Sequence, residues 1–128
     1  MKYYITRKLT IDFDEALEKV TQELQNEGFG VLTDIDVQAT LKKKLEIDFR
    51  RYRILGACNA PFAYKTLKAD DKIGTLLPCN VVVQEHEAGK VEVSMINPLL
   101  FSDIIDNEEI GVIAEAVYTR LNNVLEKL

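Results

Sequence analysis

The chain has 128 residues, of which 47% are hydrophobic and 29% charged, and its formal net charge is −5 at pH 7. This length fits one domain, residues 1–128, and the composition excludes a disordered or fibrous protein, while the negative balance argues against nucleic-acid binding. No apolar run approaches the ~20 residues that span a bilayer, and residues 1–7 contain no apolar stretch of the signal-peptide type. With only two cysteines, we therefore expect a cytoplasmic protein with reduced thiols and no membrane partner.

The chain begins with a predicted strand and a predicted helix. Residues 3–11 alternate in polarity, as a half-buried strand does. Asp12 and Glu15 form a capping-box pattern at the start of the helix, and Gly28 suits the left-handed position at its end. The apolar stripe between these ends has helical spacing: Phe13, Ala16, Leu17, Val20 and Leu24.

The middle of the chain predicts two more strands, each followed by a short helix. Residues 29–37 alternate as a second strand, after which Asp36 caps a helix. If the first two strands share a sheet, the short helical crossover makes them parallel. Residues 51–58 predict a third strand, and Asn59 is the predicted N-cap of the next helix, with Pro61 in its first turn. The predicted buried stripe of that helix is Ala60, Ala63, Tyr64 and Leu67.

The clearest predicted element is a hairpin between Cys79 and Ile96, with its turn at residues 87–90. A second acidic capping box, Asp106 and Glu109, begins the last helix, whose apolar residues recur at spacings of three and four. The predicted order is β-α-β-α-β-α-β-β-α. We therefore expect an α+β fold with a mixed or mostly antiparallel sheet and the two long helices packed on one face. The other face is then either polar or in contact with another subunit.

Two Cys-Asn pairs mark the place where the sequence indicates chemistry. Cys58 ends a strand just before a helix start, where the positive end of the helix dipole favours a thiolate, and Cys79 begins the next long strand. Each is followed by an amide side chain, Asn59 or Asn80, that can donate and accept hydrogen bonds. The thiols are either a reactive or ligand-binding pair, or buried residues that act as small hydrophobes. Only His86 could add a nitrogen ligand and the spacing is not CxxC, so no metal site and no cofactor are predicted.

Other segments of the chain admit two interpretations each. The cations of residues 42–53 either receive an anionic partner or form a solvated helix face and edge strand. The apolar segment 99–105 either packs under the last helix or lines a pocket or dimer contact. Asp34 and Asp36 lie on one side of a strand, a pattern that an acid–base pair would also give. No hydrolase or metalloprotease motif is present, which favours a protein without catalytic activity.

Three blocks of sequence, in this order, are similar to one known family: GFGVLT leading into DVQATLK, then YRILGACN, then LLPCNVVV. They resemble the family known as domain of unknown function 302, and the resemblance covers essentially the whole chain. It implies a bacterial or archaeal α+β domain that forms dimers and has no established activity. Members similar to this chain carry both Cys-Asn pairs, whereas many relatives keep Asn-Pro and Leu-Pro there without cysteine. The resemblance thus implies shared structure around Asn59 and Pro78 rather than a family-wide thiol mechanism.

We therefore predict a non-catalytic, homodimeric, cytoplasmic protein that binds a small molecule near Cys58-Asn59 and Cys79-Asn80. The alternative is a thiol-dependent enzyme, or a redox or sulfur carrier, that uses Cys58 and Cys79. A further alternative is a structural protein-interaction module that acts through residues 99–105.

Overall fold

The computed structural model describes residues 1–128, which form five strands and five α-helices. The strands are β1 (Tyr4–Leu9), β2 (Gly30–Asp36), β3 (Tyr52–Cys58), β4 (Cys79–Glu87) and β5 (Lys90–Ile96). The helices are α1 (Phe13–Asn26), α2 (Val37–Leu45), α3 (Ala60–Ala69), α4 (Leu100–Ile104) and α5 (Glu108–Glu126), and a single 3-10 turn at Ile73–Leu76 precedes β4. The predicted α+β class is confirmed, and the short helix α4 is added to the predicted order.

The strands form one sheet in the order β1-β5-β4-β3-β2, and every neighbouring pair is antiparallel. β1 and β2 therefore run in the same direction, as the helical crossover predicts, but they lie at opposite edges of the sheet. The predicted hairpin is present as β4 and β5, joined by the turn residues Ala88 and Gly89. Gly89 has a φ angle of 77°, a left-handed conformation that favours glycine in such a turn.

The helices α1 and α5 pack on the same side of this sheet, here called the covered face. Their apolar stripes and the inward side chains of the strands form one core of 19 buried residues. From α1 the core takes Phe13, Ala16, Val20 and Leu24, as the spacing predicts. Burial of such side chains stabilises the fold by roughly 1.5–3 kcal/mol each for the larger ones. The opposite side of the sheet, the uncovered face, has no long helix against it. None of the helices combines the length and the hydropathy that a membrane-spanning segment needs.

Both ends of α1 are fixed by the residues that the sequence indicates. The Asp12 carboxylate accepts the backbone N–H of Glu15 at 3.3 Å, which satisfies a donor in the first turn. Gly28 follows the helix with a φ angle of 87°. The N–H of Phe29 then donates to the carbonyl of Leu24 at 2.9 Å, the bond that defines a Schellman ending. This ending places Phe29 in the core and sets the entry of the chain into β2.

The predicted cap of α5 is off by one residue. The side-chain oxygen of Asn107, rather than Asp106, accepts the N–H of Glu109 at 3.0 Å. Asn107 also donates from Nδ2 to the carbonyl of Ala69 at 3.3 Å, at the end of α3. A carboxylate has no such donor, so an amide at this position can cap α5 and bind α3 at once.

The predicted buried stripe of α3 is wrong except at Ala63, which is half-buried. Tyr64 and Leu67 are 65% and 42% exposed, whereas Thr66 is buried. The hydroxyl of Thr66 donates to the carbonyl of Phe62 at 2.7 Å, which satisfies its polar group inside the fold. The inward side of α3 is therefore rotated towards Phe62 and Thr66, away from the more hydrophobic Tyr64 and Leu67.

Candidate functional site

A cavity lies where the end of β3 and the start of β4 meet α3 and α5. It offers about 60 Å³ of space to the centres of water-sized molecules, and 12 of its 16 lining residues are hydrophobic. One water needs about 10–15 Å³ in this measure, so the cavity has room for a ligand of several heavy atoms. The apolar walls come from the sheet, α3, α4 and α5, and include Ala57, Phe62, Ala63, Phe101, Ile110, Ile113, Ala114 and Val117.

The segment 99–105 contributes one wall of this cavity. Phe101 is only 6% exposed and packs with Ile73 and Ile110 in a small core cluster beside α5. The same ring lines the cavity, whereas Ile104 is 58% exposed. The position of Phe101 agrees with two of the interpretations of this segment, because the ring packs beside the last helix and also lines a pocket.

Three of the four predicted site residues line the cavity. Cys58 and Asn59 lie where β3 turns into α3, and Cys79 is the first residue of β4. Asn80 does not join them, because successive strand residues point to opposite faces of a sheet. It lies on the uncovered face, paired with Gly56 of β3. The two Cys-Asn pairs are therefore not equivalent.

Asn59 occupies the predicted N-cap position of α3, but its side chain makes no capping hydrogen bond. Its Nδ2 instead donates to the carbonyl of Glu27 at 3.4 Å, at the end of α1. The predicted capping role of its side chain is wrong because the last carbonyls of α1 also lack helical partners and lie within reach. Asn59 is 8% exposed, and its carboxamide oxygen accepts no hydrogen bond from the protein yet is not sealed off from solvent.

The two thiols differ in their surroundings. Cys79 is buried and Cys58 is half-buried, and neither forms a disulfide. Burial and, to a smaller extent, the neighbouring Cys58 raise the pKa of the Cys79 thiol from 9.0 to about 11. Because the thiolate is the reactive form, Cys79 is a protonated and weak nucleophile at neutral pH.

The other titratable residues that the sequence indicates lie outside the cavity and pair with each other. Arg53 binds Asp34 at 2.8 Å and Asp36 at 3.5 Å, so these carboxylates neutralise a cation at the sheet edge. His86 binds Glu92 at 2.8 Å on the uncovered face. No group of three or more His, Cys, Asp or Glu side chains is arranged to hold a metal ion.

The uncovered face carries a broader depression of about 370 Å³ in the same measure. Tyr4, Tyr52 and Glu92 line this depression. The Glu92 carboxylate is held by hydrogen bonds with the Thr6 hydroxyl, which donates at 2.9 Å, and with His86. The side chains of this face come from all five strands: Tyr4, Thr6, Lys8, Ile96, Ser94, Glu92, Asn80, Val82, Gln84, Tyr52, Ile54, Thr33 and Ile35.

Comparison with known proteins identifies the family. The sequence model of "Domain of unknown function DUF302" matches residues 5–128. The chain belongs to the DUF302 family. It is similar to the crystal structure of an uncharacterized conserved DUF302 protein from Bacillus stearothermophilus, with a TM-score of 0.90 and 28% identity over 99% of this chain and 98% of that one. Among curated proteins, no match to the chain is found.

Sequence reasoning missed one wall of the cavity in this DUF302 protein. Ile113, Ala114 and Val117 of α5 line it, yet in the sequence they belong to the same apolar stripe as residues of the closed core. Helical spacing predicts that these residues face inward, but it does not distinguish a filled contact from an open one. A cavity arises only where two packed elements fail to meet, so it has no local signal in the sequence.

Proposed function

We propose that this protein is a non-catalytic domain that binds a small, mainly apolar molecule in the cavity between β3, β4, α3 and α5. The observation that carries the proposal is the convergence of Cys58, Asn59 and Cys79 on a largely apolar concavity. Ligand sites in proteins are typically apolar concavities with a few placed polar groups. The cavity has this composition.

The polar groups around the cavity limit what it can bind. The hydroxyl of Thr66 is already used in its bond to Phe62. The two thiols are weak hydrogen-bonding groups, so Asn59 is the strong polar group that remains at the wall. A ligand with an extensive polar surface would lose its hydrogen bonds to water without replacement. The composition therefore favours a molecule with a hydrocarbon body.

The cavity residues also support a binding role rather than catalysis. None of the 16 lining residues is Asp, Glu, His, Lys or Arg. General acid–base chemistry needs such a group within hydrogen-bonding reach of the substrate. Cys79, which the thiol-dependent alternative uses, is held in its protonated form. If both thiols alkylate slowly at pH 7, that alternative fails, whereas rapid alkylation below neutral pH would favour it.

We also propose that the protein is a cytoplasmic homodimer. Two free thiols suit a reducing compartment. The uncovered face supports a second copy as the partner, because Ile35 is 49% exposed there and Lys8 lies beside Glu92. A two-fold axis between Lys8 and Glu92 would bring each of these two side chains next to the opposite charge on the second copy. Ile35→Lys should convert the dimer to monomer in native mass spectrometry, and Leu67→Lys on α3 should not. A wild-type monomer would contradict this part of the proposal.

Ligand binding is tested with isovaleramide, a neutral molecule with a branched hydrocarbon body. In amide-detected NMR titrations, we expect shifts at cavity-lining residues of the wild type. Ala63→Leu fills the cavity and should weaken binding at least tenfold, whereas Ala60→Leu places the same side chain on the exposed side of α3 and should leave it unchanged. The absence of cavity shifts, or equal binding by Ala63→Leu, would contradict the proposal. Cys58→Ser and Asn59→Ala then report which wall residue contributes.

A further inference from the structure

Arg120 lies one helical turn beyond Val117 on the same stripe of α5 that lines the cavity. Its side chain is exposed, and no carboxylate lies within ion-pair distance of it. The guanidinium stacks on Phe62, a wall of the cavity, at 5.4 Å from the ring centroid. An arginine at the border of an apolar cavity is thus left without an anionic partner.

Arg120 and Asn59 share one acceptor. Arg120 Nη1 donates to the carbonyl of Glu27 at 3.2 Å, and Asn59 Nδ2 donates to the same oxygen at 3.4 Å. Because Arg120 Nη1 and Asn59 Nδ2 both donate to the same oxygen, these two nitrogens are close neighbours. A single carboxylate can therefore contact both side chains. Each side chain keeps further N–H groups, since a guanidinium has five and a carboxamide two.

Gly28 leaves space at these two donors. A Cβ atom at this position would lie 3.0 Å from Asn59 Nδ2 and 4.0 Å from Arg120 Nη1. The side chain of Glu27 is already engaged by Asn123 at 3.3 Å and by Lys127 at 3.6 Å. Besides the free amide oxygen of Asn59, the groups that remain here are N–H donors and one positive charge, and these donors and this charge together recognise an anion.

We propose that the ligand of the cavity is a small amphiphilic carboxylate, with its hydrocarbon part between α3 and α5 and its carboxylate on Arg120 and Asn59. This inference rests on the proposed function, because the hydrocarbon part occupies the same cavity. The apolar wall supplies the gain from burial, and the guanidinium supplies a charge-assisted and planar contact. The carboxylate stays at the exposed border, where it keeps part of its hydration and its charge is not buried.

The test compares isovalerate with isovaleramide, which have the same shape and differ in charge. Amide-detected NMR titrations give the dissociation constant of each molecule for the wild type, Arg120→Gln and Lys65→Gln. We expect the wild type to prefer isovalerate, and Arg120→Gln to weaken isovalerate binding by about tenfold or more while leaving isovaleramide unchanged. Lys65→Gln removes an exposed cation of α3 and should change neither constant.

The possible results separate this inference from the proposed function. Equal affinities of the two molecules for the wild type, or unchanged isovalerate binding by Arg120→Gln, would overturn the carboxylate assignment while the cavity remained a binding site. An equal loss of both molecules in Arg120→Gln would also overturn it, because Arg120 would then only position Phe62. If neither molecule binds the wild type, the proposed function fails together with the inference.

Discussion

The covered and uncovered faces are built from the same strands and differ in what lies above them. Val81 and Val93 on the covered face have no exposure, whereas their strand neighbours Val82 and Ser94 on the uncovered face remain half-buried. The two concavities described above lie on opposite faces. The larger, of about 370 Å³, is a wide depression on the uncovered face, and the smaller, of about 60 Å³, lies among helices on the covered face.

The smaller concavity is the proposed ligand site because enclosure decides how much apolar surface of a bound molecule leaves water. A molecule on the uncovered face contacts one side of a sheet and keeps its other side in water. A molecule in the cavity contacts β3, β4, α3 and α5, so most of its apolar surface leaves water. The broad, partly polar depression is better suited to another flat surface. Substitutions on one face, compared with matched substitutions elsewhere in the sheet, test this difference.

The largest effect is expected at Gly56, which is buried although it belongs to the uncovered side of β3. A Cβ there would clash with Thr33 Oγ1 and lie 2.7 Å from Pro78 Cγ. Gly56→Ala should therefore lower the free energy of unfolding by about 3 kcal/mol, measured by urea denaturation. Gly30→Ala is the matched control in β2, since no atom lies within 4 Å of its added Cβ. If both variants lowered the free energy of unfolding by the same amount, steric crowding around Gly56 would not be the cause of the destabilisation.

The next comparison uses two adjacent valines of β4. Val81→Ala leaves a space in the closed core and should destabilise the protein by roughly 2–3 kcal/mol. Val82→Ala acts on the uncovered face and should cost about 1 kcal/mol or less. Unfolding should be measured at several protein concentrations. If the cost of Val82→Ala approaches that of Val81→Ala and grows with concentration, a partner covers this face in solution.

The raised pKa of Cys79 predicts a loss of stability in alkaline solution. A protonated thiol is favoured in the folded state, so its contribution is fully present below pH 9.0 and is lost as the pH rises through about 11. We expect the free energy of unfolding to fall by roughly 2 kcal/mol over this interval. Cys79→Ala, compared with the wild type, should remove this share of the pH dependence. An identical alkaline profile in both proteins would contradict the assignment.

The smallest effect is expected from Glu92 on the uncovered face. The hydrogen bond from His86 lowers the pKa of Glu92 from its usual value of 4.5, and Thr6 and the charge of Lys8 act in the same direction. A lowered pKa contributes stability above pH 4.5 that is lost as the pH falls through the folded value. His86→Ala should raise the pKa in carboxyl-detected NMR and change stability by less than about 1 kcal/mol. Lys90→Ala, which removes a cation paired with Glu87, should leave the Glu92 titration unchanged.

Elements with strong local signals could be predicted from the sequence. The helix α1 has a cap at Asp12 and a left-handed glycine at Gly28, and the β4–β5 hairpin has strand-forming residues around a short turn. The strand order could not be predicted, because it depends on contacts such as that between Thr6 and Glu92, which are 86 positions apart. No local pattern selects such a partner.

The candidate site could be predicted only in part, because some of its residues carry local signals and others are brought together by long-range contacts. Strand ends and helix starts carry local signals, and these led to Cys58, Asn59 and Cys79. Asn80 was included because its sequence context repeats that of Asn59, although the alternation of β4 directs it to the other face. Arg120 was missed, since its relation to Asn59 exists only through the carbonyl of Glu27, which belongs to a third element.

The edge position of β1 has a consequence for how the chain folds during synthesis. The only strand next to β1 is β5, which the ribosome completes last among the strands. At roughly 5–20 residues per second, the first strand waits several seconds for its neighbour to emerge. During that interval its apolar side chains and unpaired backbone groups are open to chaperones and to other nascent chains. The hairpin that completes the sheet therefore also ends the period in which β1 lacks a neighbouring strand.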